Sequence, residues 1–287
     1  MTRPSRGPRT TPGAPTAGDA VAGGAEASRP SSDWAEGFFA GPYLDVQRAE
    51  PIADSDEVAY IEKALGIAGG AAAVLDVPCG VGRHALVLAS HGHRVMAVDR
   101  NPAALEIGRR EAEARGLGKA VRFEVAEMTE VLPREDGPFD AALCFFGSIG
   151  YGSEADDLAF FRRVRQALRR GGRFLVDVHV AETLLPAFEP RDWHSLGEGA
   201  ARMRVLEERH WNHLTSRVET TWIFQPAGEP EVERRTSIRI YTVRELVELA
   251  GAAGFSFQDA AESITGAAFG LGAGRLGLVL ESVGNPK

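Results

Sequence analysis

The run Val74-Leu75-Asp76-Val77-Pro78-Cys79-Gly80-Val81-Gly82-Arg83-His84 holds the densest concentration of chemistry in the chain. A short apolar segment ends on a carboxylate. A turn with two glycines follows, and Arg83-His84 open the next segment. Glycine permits a tight turn and lets a ligand approach the backbone closely. A helix beginning at Arg83 presents free amides, which favour a nearby carboxylate or other anion. Asp99 ends the next apolar run, 19 residues after Gly80. A carboxylate there can accept hydrogen bonds from both hydroxyls of a ribose. Together these residues predict a nucleoside-bearing cofactor lying across the C-terminal ends of parallel strands.

Two cofactor classes meet this pattern. Gly80-x-Gly82-x-x-Ala85 with Asp99 satisfies a dinucleotide fingerprint, which would make the chain an NAD-dependent oxidoreductase. Asp76 argues the other way. A carboxylate at the strand end suits the ammonium of a methionine moiety and would burden a pyrophosphate. A purely structural reading makes the glycine turn a tight connection, with Asp76 as a satisfied capping residue.

These residues need a scaffold, and the patterning supplies one. Helical spacing runs from Asp54 to Leu65 through Val58 and Ile61, and Gly69-Gly70 ends it. Ala73–Val77, Arg94–Val98, Val121–Val125, Phe139–Phe145 and Arg173–Val178 read as buried parallel strands. Between them lie helices at 83–90, from Pro102 to about Arg115, and through Leu158, Phe161, Val164 and Leu168 to Gly171-Gly172. Such alternation implies a doubly wound, mostly parallel sheet with helices on both faces. After His179 the rhythm changes. Arg202–Trp211, Arg217–Gln225 and Glu231–Tyr241 alternate as three antiparallel strands with one wet face. A helix around Leu246, Leu249 and Ala250 and strands at 255–260 and 275–281 complete a seven-stranded sheet. The expected organisation is a disordered tail over 1–32, a core over 33–180 and 242–287, and an antiparallel insertion over 181–241 that covers the substrate site.

Composition narrows the function classes. The chain has 287 residues, with 32 Lys+Arg against 40 Asp+Glu and a net charge of −8. That balance argues against a binder that works by neutralising nucleic-acid phosphates. No apolar run approaches the roughly 20 residues needed to span a membrane, and the N-terminus has no signal-like core. Two cysteines, Cys79 and Cys144, form no disulfide framework and suit a reducing cytoplasm. Only three of the basic residues are Lys, which reads as the codon bias of a GC-rich bacterial genome. His91-Gly92-His93 has no Cys or acid at ligand spacing, so no metal is expected.

The ordered set resembles the class I S-adenosylmethionine-dependent methyltransferases, of the type acting on small molecules. Asp76 with Gly80 and Gly82 resembles motif I, with Pro78-Cys79 in place of the usual first glycine and its neighbour. Arg100-Asn101-Pro102 looks like the start of the helix after motif II. Ala126-Glu127-Met128 falls where the family often has Asp-Met. Phe139 to Ser148 resembles the fourth strand and its loop, and Leu168 to Phe174 the turn into the fifth. The resemblance implies a Rossmann-like fold with S-adenosylmethionine as cofactor. It implies that Asp76 and the Gly80 backbone hold the methionine end, that Pro78 and Cys79 contact the cofactor, that Arg83 and His84 at the helix N-terminus favour its carboxylate, and that Gly82 permits close approach. Asp99 would hold the ribose, Arg100 would lie beside the adenosine, Glu127 would face the adenine amino group and Met128 would pack on its ring. Phe145 would line the cofactor, and Tyr43 would close over it.

Methyl transfer from a sulfonium is an in-line displacement, driven largely by positioning. His179, just after the fifth strand, is the candidate base, and a polar strand-end residue is its alternative reading. Tyr151, Trp193 and His194 are candidate substrate contacts. Trp222 reads as core of the insertion. A cofactor-binding protein without catalysis is a further alternative on the same fold. The expected acceptor is a small molecule, with neither nucleic acid nor membrane as partner.

Overall fold

The structure is a computed structural model that describes residues 38–39, 41–49, 55–130, 138–196 and 202–283. The tail expected over 1–32 lies outside the described residues. Two helices, α1 (Pro42–Ala49) and α2 (Ser55–Leu65), precede the alternating series. That series runs β1 (Ala73–Asp76), α3 (Arg83–Ser90), β2 (Arg94–Asp99), α4 (Pro102–Ala114), β3 (Val121–Val125), β4 (Phe139–Cys144), α5 (Glu154–Ala167), β5 (Leu168–Val178) and the short α6 (Ala181–Leu184). An antiparallel group follows: β6 (Arg191–Leu196), β7 (Met203–Asn212), β8 (Arg217–Pro226) and β9 (Val232–Arg239). Then α7 (Val243–Ala253), β10 (Phe255–Glu262) and β11 (Leu276–Ser282) return to the core.

Seven strands form one sheet in the order β3-β2-β1-β4-β5-β11-β10. β11 runs antiparallel to β5 and β10, and the other pairs are parallel. Strand side chains alternate between faces, so each run feeds two layers. Leu75 and Val77 pack with Phe160, Phe161 and Phe174 on one side. Val74 and Leu143 pack with Ile61, Leu88 and Leu105 on the other. Burial on both faces is why these strands read as continuous apolar runs.

Helix starts follow their caps. The Asn101 side chain accepts from the amides of Ala103 and Ala104 ahead of Pro102. Ser153 and Asp156 exchange capping-box bonds at the head of α5, as Thr242 and Glu245 do for α7. One expected boundary is wrong. Helix α5 ends at Ala167 and not at the glycine pair, because Leu168 is already extended and pairs with Phe139. Gly171-Gly172 instead lie in an excursion of β5 before Arg173 pairs with Ala141.

The insertion has four antiparallel strands in the order β6-β7-β8-β9, where three were expected. The missed strand, β6, is an edge with its residues exposed or half-buried, so Arg-Asp-Trp-His-Ser-Leu carries no apolar alternation. Arg217 ties this sheet to the core by donating to the carbonyls of Gly150 and Tyr151 after β4. The amide of Arg239 donates to Gly150 O at 2.8 Å. At the other end Phe38 packs with Met203, Val205 and Phe224, and Phe39, Tyr43 and Trp222 join the cluster. Trp222 therefore sits in the insertion's own core, and its indole N–H donates to Thr236 at 3.0 Å.

Candidate active site

The loop after β1 is held by backbone bonds to its neighbouring strand. Cys79 N–H donates to Val98 O at 2.9 Å, across a cis Val77-Pro78 peptide. Gly80 N–H donates to Asp99 Oδ2 at 2.8 Å, and Asn101 N–H to Asp99 Oδ1 at 2.8 Å. Asp99 thus links the two turns and keeps acceptor capacity for a ligand. Asn101 Nδ2 reaches Phe39 O at 2.8 Å and brings the N-terminal segment over this corner.

These turns border a cavity of about 230 Å³. Asp76, Pro78, Cys79, Gly80, Arg83, His84, Asp99, Arg100, Glu127, Met128, Phe145, Tyr43 and Tyr151 all line it, as expected from the sequence. Phe39, Val46, Gln47, Asn101, Phe146 and Ser148 also line it and were not among the expected site residues. Asn101-Pro102 carried a legible helix-start signal. Gln47 and Val46 carried none, because α1 reaches the site only through tertiary packing.

Four expected site residues lie elsewhere. Gly82 is absent from the cavity wall. A Cβ there would stand 2.7 Å from Phe123 Cε1, so the close approach it permits is that of Phe123. Gly108 faces the same ring edge, at 2.6 Å. His179 is set beside Arg275, with Nε2 3.3 Å from Nη1, and away from the wall. Arg275 is drawn there by the buried Asp177 at 2.7 Å. Trp193 and His194 lie on the edge strand β6, where Trp193 is 65% exposed. His194 turns towards Glu207 at 3.9 Å.

The electrostatics of the wall are uneven. Asp76 is 1% exposed, and its Oδ2 has no hydrogen-bond partner. Burial pushes its pKa up to about 8, and Asp99 adds to the rise while Arg83 opposes it. Burial also raises the Asp99 carboxyl against the pull of its amide donors. Burial lowers the His84 imidazole, and the hydrogen bond to Glu57 opposes that shift. Burial raises the Cys79 and Tyr151 side chains, which keeps both protonated and unreactive at neutral pH. At the rim Arg100 and Glu127 pair at 3.1 Å, both about a third exposed. The acid that spacing did not reveal at His91-Gly92-His93 is Glu62, whose Oε1 lies 2.9 Å from His91 and 3.1 Å from His93. The other nitrogen of His93 accepts from the Ala72 amide, so that ring is spent on structure.

Comparison with known proteins agrees with this geometry. The family model of the methyltransferase domain matches residues 74–172, from β1 to the turn of β5. The protein-L-isoaspartate O-methyltransferase of Methylorubrum populi is 33% identical over 153 residues, covering 53% of this chain and 66% of the relative. The chain spans about half to two thirds of the length of such curated relatives. Among solved structures, the CcbJ methyltransferase of Streptomyces caelestis superposes with a TM-score of 0.70 at 20% identity, over 82% of this chain and 92% of that one. The amino pentose methyltransferase CalS10 of Micromonospora echinaspora, solved with S-adenosylmethionine bound, gives 0.64 at 20% identity, over 85% and 98%. The strand order, the acid-and-glycine loop at the head of the sheet and these relatives agree, and residues 74–172 belong to the methyltransferase-domain family.

Proposed function

We propose that this chain moves the methyl group of S-adenosylmethionine to a small-molecule acceptor bound in the cavity after β1. One arrangement carries the reading: Asp76, the Gly80 turn and Asp99 converge on a single aromatic-walled cavity. The donor set fits the cofactor. The orphaned buried oxygen of Asp76 suits an ammonium, which would supply the charge partner that burial now denies it. Asp99 suits the ribose hydroxyls, and Glu127 and Met128 suit the adenine. When bound, the cofactor supplies an electrophilic methyl and a good leaving group.

The protein's part is to position and to dry the site. Phe39, Tyr43, Phe145, Phe146 and Tyr151 wall the cavity with rings and leave few waters to compete with a nucleophile. The mixed charge of the cavity and the net charge of −8 support a small acceptor over a nucleic acid. Structural neighbours described as acting on an amino pentose or on sugars support the same class. In this reading residues 33–180 and 242–287 bind the cofactor, and 181–241 cover the acceptor through the Phe38–Trp222 packing. A bacterial, cytoplasmic setting suits the reduced cysteines. Among the described residues no helix is long and apolar enough to cross a membrane.

Calorimetric titration with S-adenosylmethionine, S-adenosylhomocysteine and NAD tests the reading, followed by a radiolabelled methyl-transfer screen over phenols, amines and amino sugars. Binding of the two sulfur nucleosides with transfer to an acceptor is the expected result. Preferential binding of NAD would assign the glycine turn to a dehydrogenase. Tight binding with no transfer to any acceptor would favour a cofactor-binding protein without catalysis.

A further inference from the structure

Glu57 stands on α2, outside the glycine loop, and is 4% exposed. Its Oε1 meets Nη2 of Arg83 at 2.8 Å and Nε2 of His84 at 2.7 Å. Arg83 Nη1 reaches Oε2 at 3.4 Å, so the carboxylate grips the guanidinium with both oxygens. A carboxylate oxygen 2.7 Å from a ring nitrogen requires a proton between them, since two lone pairs would otherwise face each other. Arg83 Nη2, which can only donate, also lies 3.2 Å from Nε2, but the carboxylate oxygen is nearer at 2.7 Å, and this shorter contact favours the neutral tautomer with its hydrogen on Nε2 and the lone pair on Nδ1. Among the described residues nothing donates to Nδ1.

The ring lies on the cavity wall, 4.4 Å from the Phe145 ring and 5.7 Å from that of Phe146. Those two residues follow β4, which flanks β1 on the side opposite β2 and its terminal Asp99. Charged groups face His84 from every side. They are Glu57 on α2, Arg83 on its own helix and Asp177 on β5, with Arg275 across the Phe146 ring. Burial and Arg83 keep the imidazole neutral near pH 7, and Glu57 and Asp177 stand ready to balance a positive ring.

We propose that His84 takes the proton from the acceptor's nucleophile through Nδ1, and that Glu57 is the positioning residue that fixes its tautomer. This rests on the methyl-transfer reading. In the step a nucleophile X–H forms its bond to the methyl carbon while the carbon–sulfur bond breaks and sulfur keeps that electron pair. The proton of X–H passes to Nδ1, the imidazolium is held by Glu57 through Nε2–H, and water later removes the proton. The acceptor class follows: an alcohol, a phenol or an amine, whose nucleophile must shed a proton, and not a thioether or tertiary amine.

The first test needs no acceptor. Nitrogen-15 NMR of histidine-labelled full-length protein with S-adenosylhomocysteine should show His84 neutral at pH 7 with its hydrogen on Nε2. Glu57→Gln should change that tautomer balance. A hydrogen on Nδ1, or an imidazolium at pH 7, would overturn the proposal. The second test separates the acceptor from the cofactor. His84→Gln should change the affinity for S-adenosylhomocysteine and for 5′-methylthioadenosine by the same factor. A loss confined to S-adenosylhomocysteine would assign His84 to the methionine end and overturn the base role. Failure of the parent to bind either nucleoside would instead overturn the methyl-transfer reading and leave the tautomer result standing. On an acceptor returned by the screen, His84→Gln should lower kcat by at least about 100-fold with KM little changed, and should remove the acid limb of the pH profile. Turnover within threefold of the parent would overturn the proposal.

Discussion

The amide of Gly80 and the carboxylate of Asp99 meet at 2.8 Å, although 19 residues and a helix separate them in the chain. The bond places Asp99, the acid proposed to hold the ribose, and the glycine turn in one frame. Asp99→Ala should remove both this tie and the ligand's hydroxyl contacts. Hydrogen bonds to a charged group contribute about 1.5–3 kcal/mol each, so S-adenosylhomocysteine should bind one to two powers of ten more weakly. Calorimetry decides, and an affinity within twofold of the parent would place the ribose elsewhere.

Asp76 makes binding a proton-coupled event. Its folded pKa is pushed up to about 8, so the empty protein holds a proton there at pH 7. A bound ammonium favours the carboxylate, and the proton must leave. Affinity for S-adenosylhomocysteine should therefore rise with pH up to about 8. Calorimetry at pH 7 in two buffers of different ionisation enthalpy should report close to one proton released, and Asp76→Asn should abolish it. The same shift has an opposite effect on folding. The native state binds more protons than the unfolded chain between about pH 4 and 8, so this group's stabilisation is full below about 4 and is lost as pH rises through 8.

Gly82→Ala tests packing and leaves the cavity wall untouched. The residue has φ +78°, and its Cβ would meet Phe123 at 2.7 Å. Left-handed backbone costs about 1–2 kcal/mol and overpacking about 1–3. A loss of about 2–4 kcal/mol should appear as a Tm lower by roughly 5–15 °C. Saturating S-adenosylhomocysteine should still bind the folded fraction with near-parental affinity.

His179→Ala should keep parental affinity for S-adenosylhomocysteine and parental turnover, because the ring is outside the cavity wall. Its signature is in stability. Burial and Arg275 lower its pKa to about 4. Between there and about 6.5 the unfolded chain binds more protons than the native one, so stability falls as pH drops through that window. Thermal melts from pH 7 to 4 should show a shallower decline for His179→Ala than for the parent.

The parallel core was legible because its strands are buried on both faces and its helices carry caps in their own sequence, as at Asn101-Pro102 and Ser153–Asp156. The convergence of Asp76, Gly80 and Asp99 on one cavity was legible because they sit at fixed offsets from strand ends. What escaped was set by tertiary packing. Glu57 is an ordinary acid in a helical pattern until α2 docks beside α3. Trp193 and His194 looked like lid residues because an exposed edge strand leaves no periodic trace. His179 follows the right strand, but Asp177 pulls Arg275 across it.

Phe38 completes the small core of the antiparallel sheet, while its neighbour Phe39 and Tyr43 on α1 pack on that core and also line the cavity. The sheet and the first helix are thus one module in two pieces of chain. Transplanting residues 181–241 alone onto a related core would leave Val205 and Phe224 without their cover. A chimaera that keeps this small core intact would have to carry residues 38–49 along with the strands, because the packing unit is split between two pieces of chain.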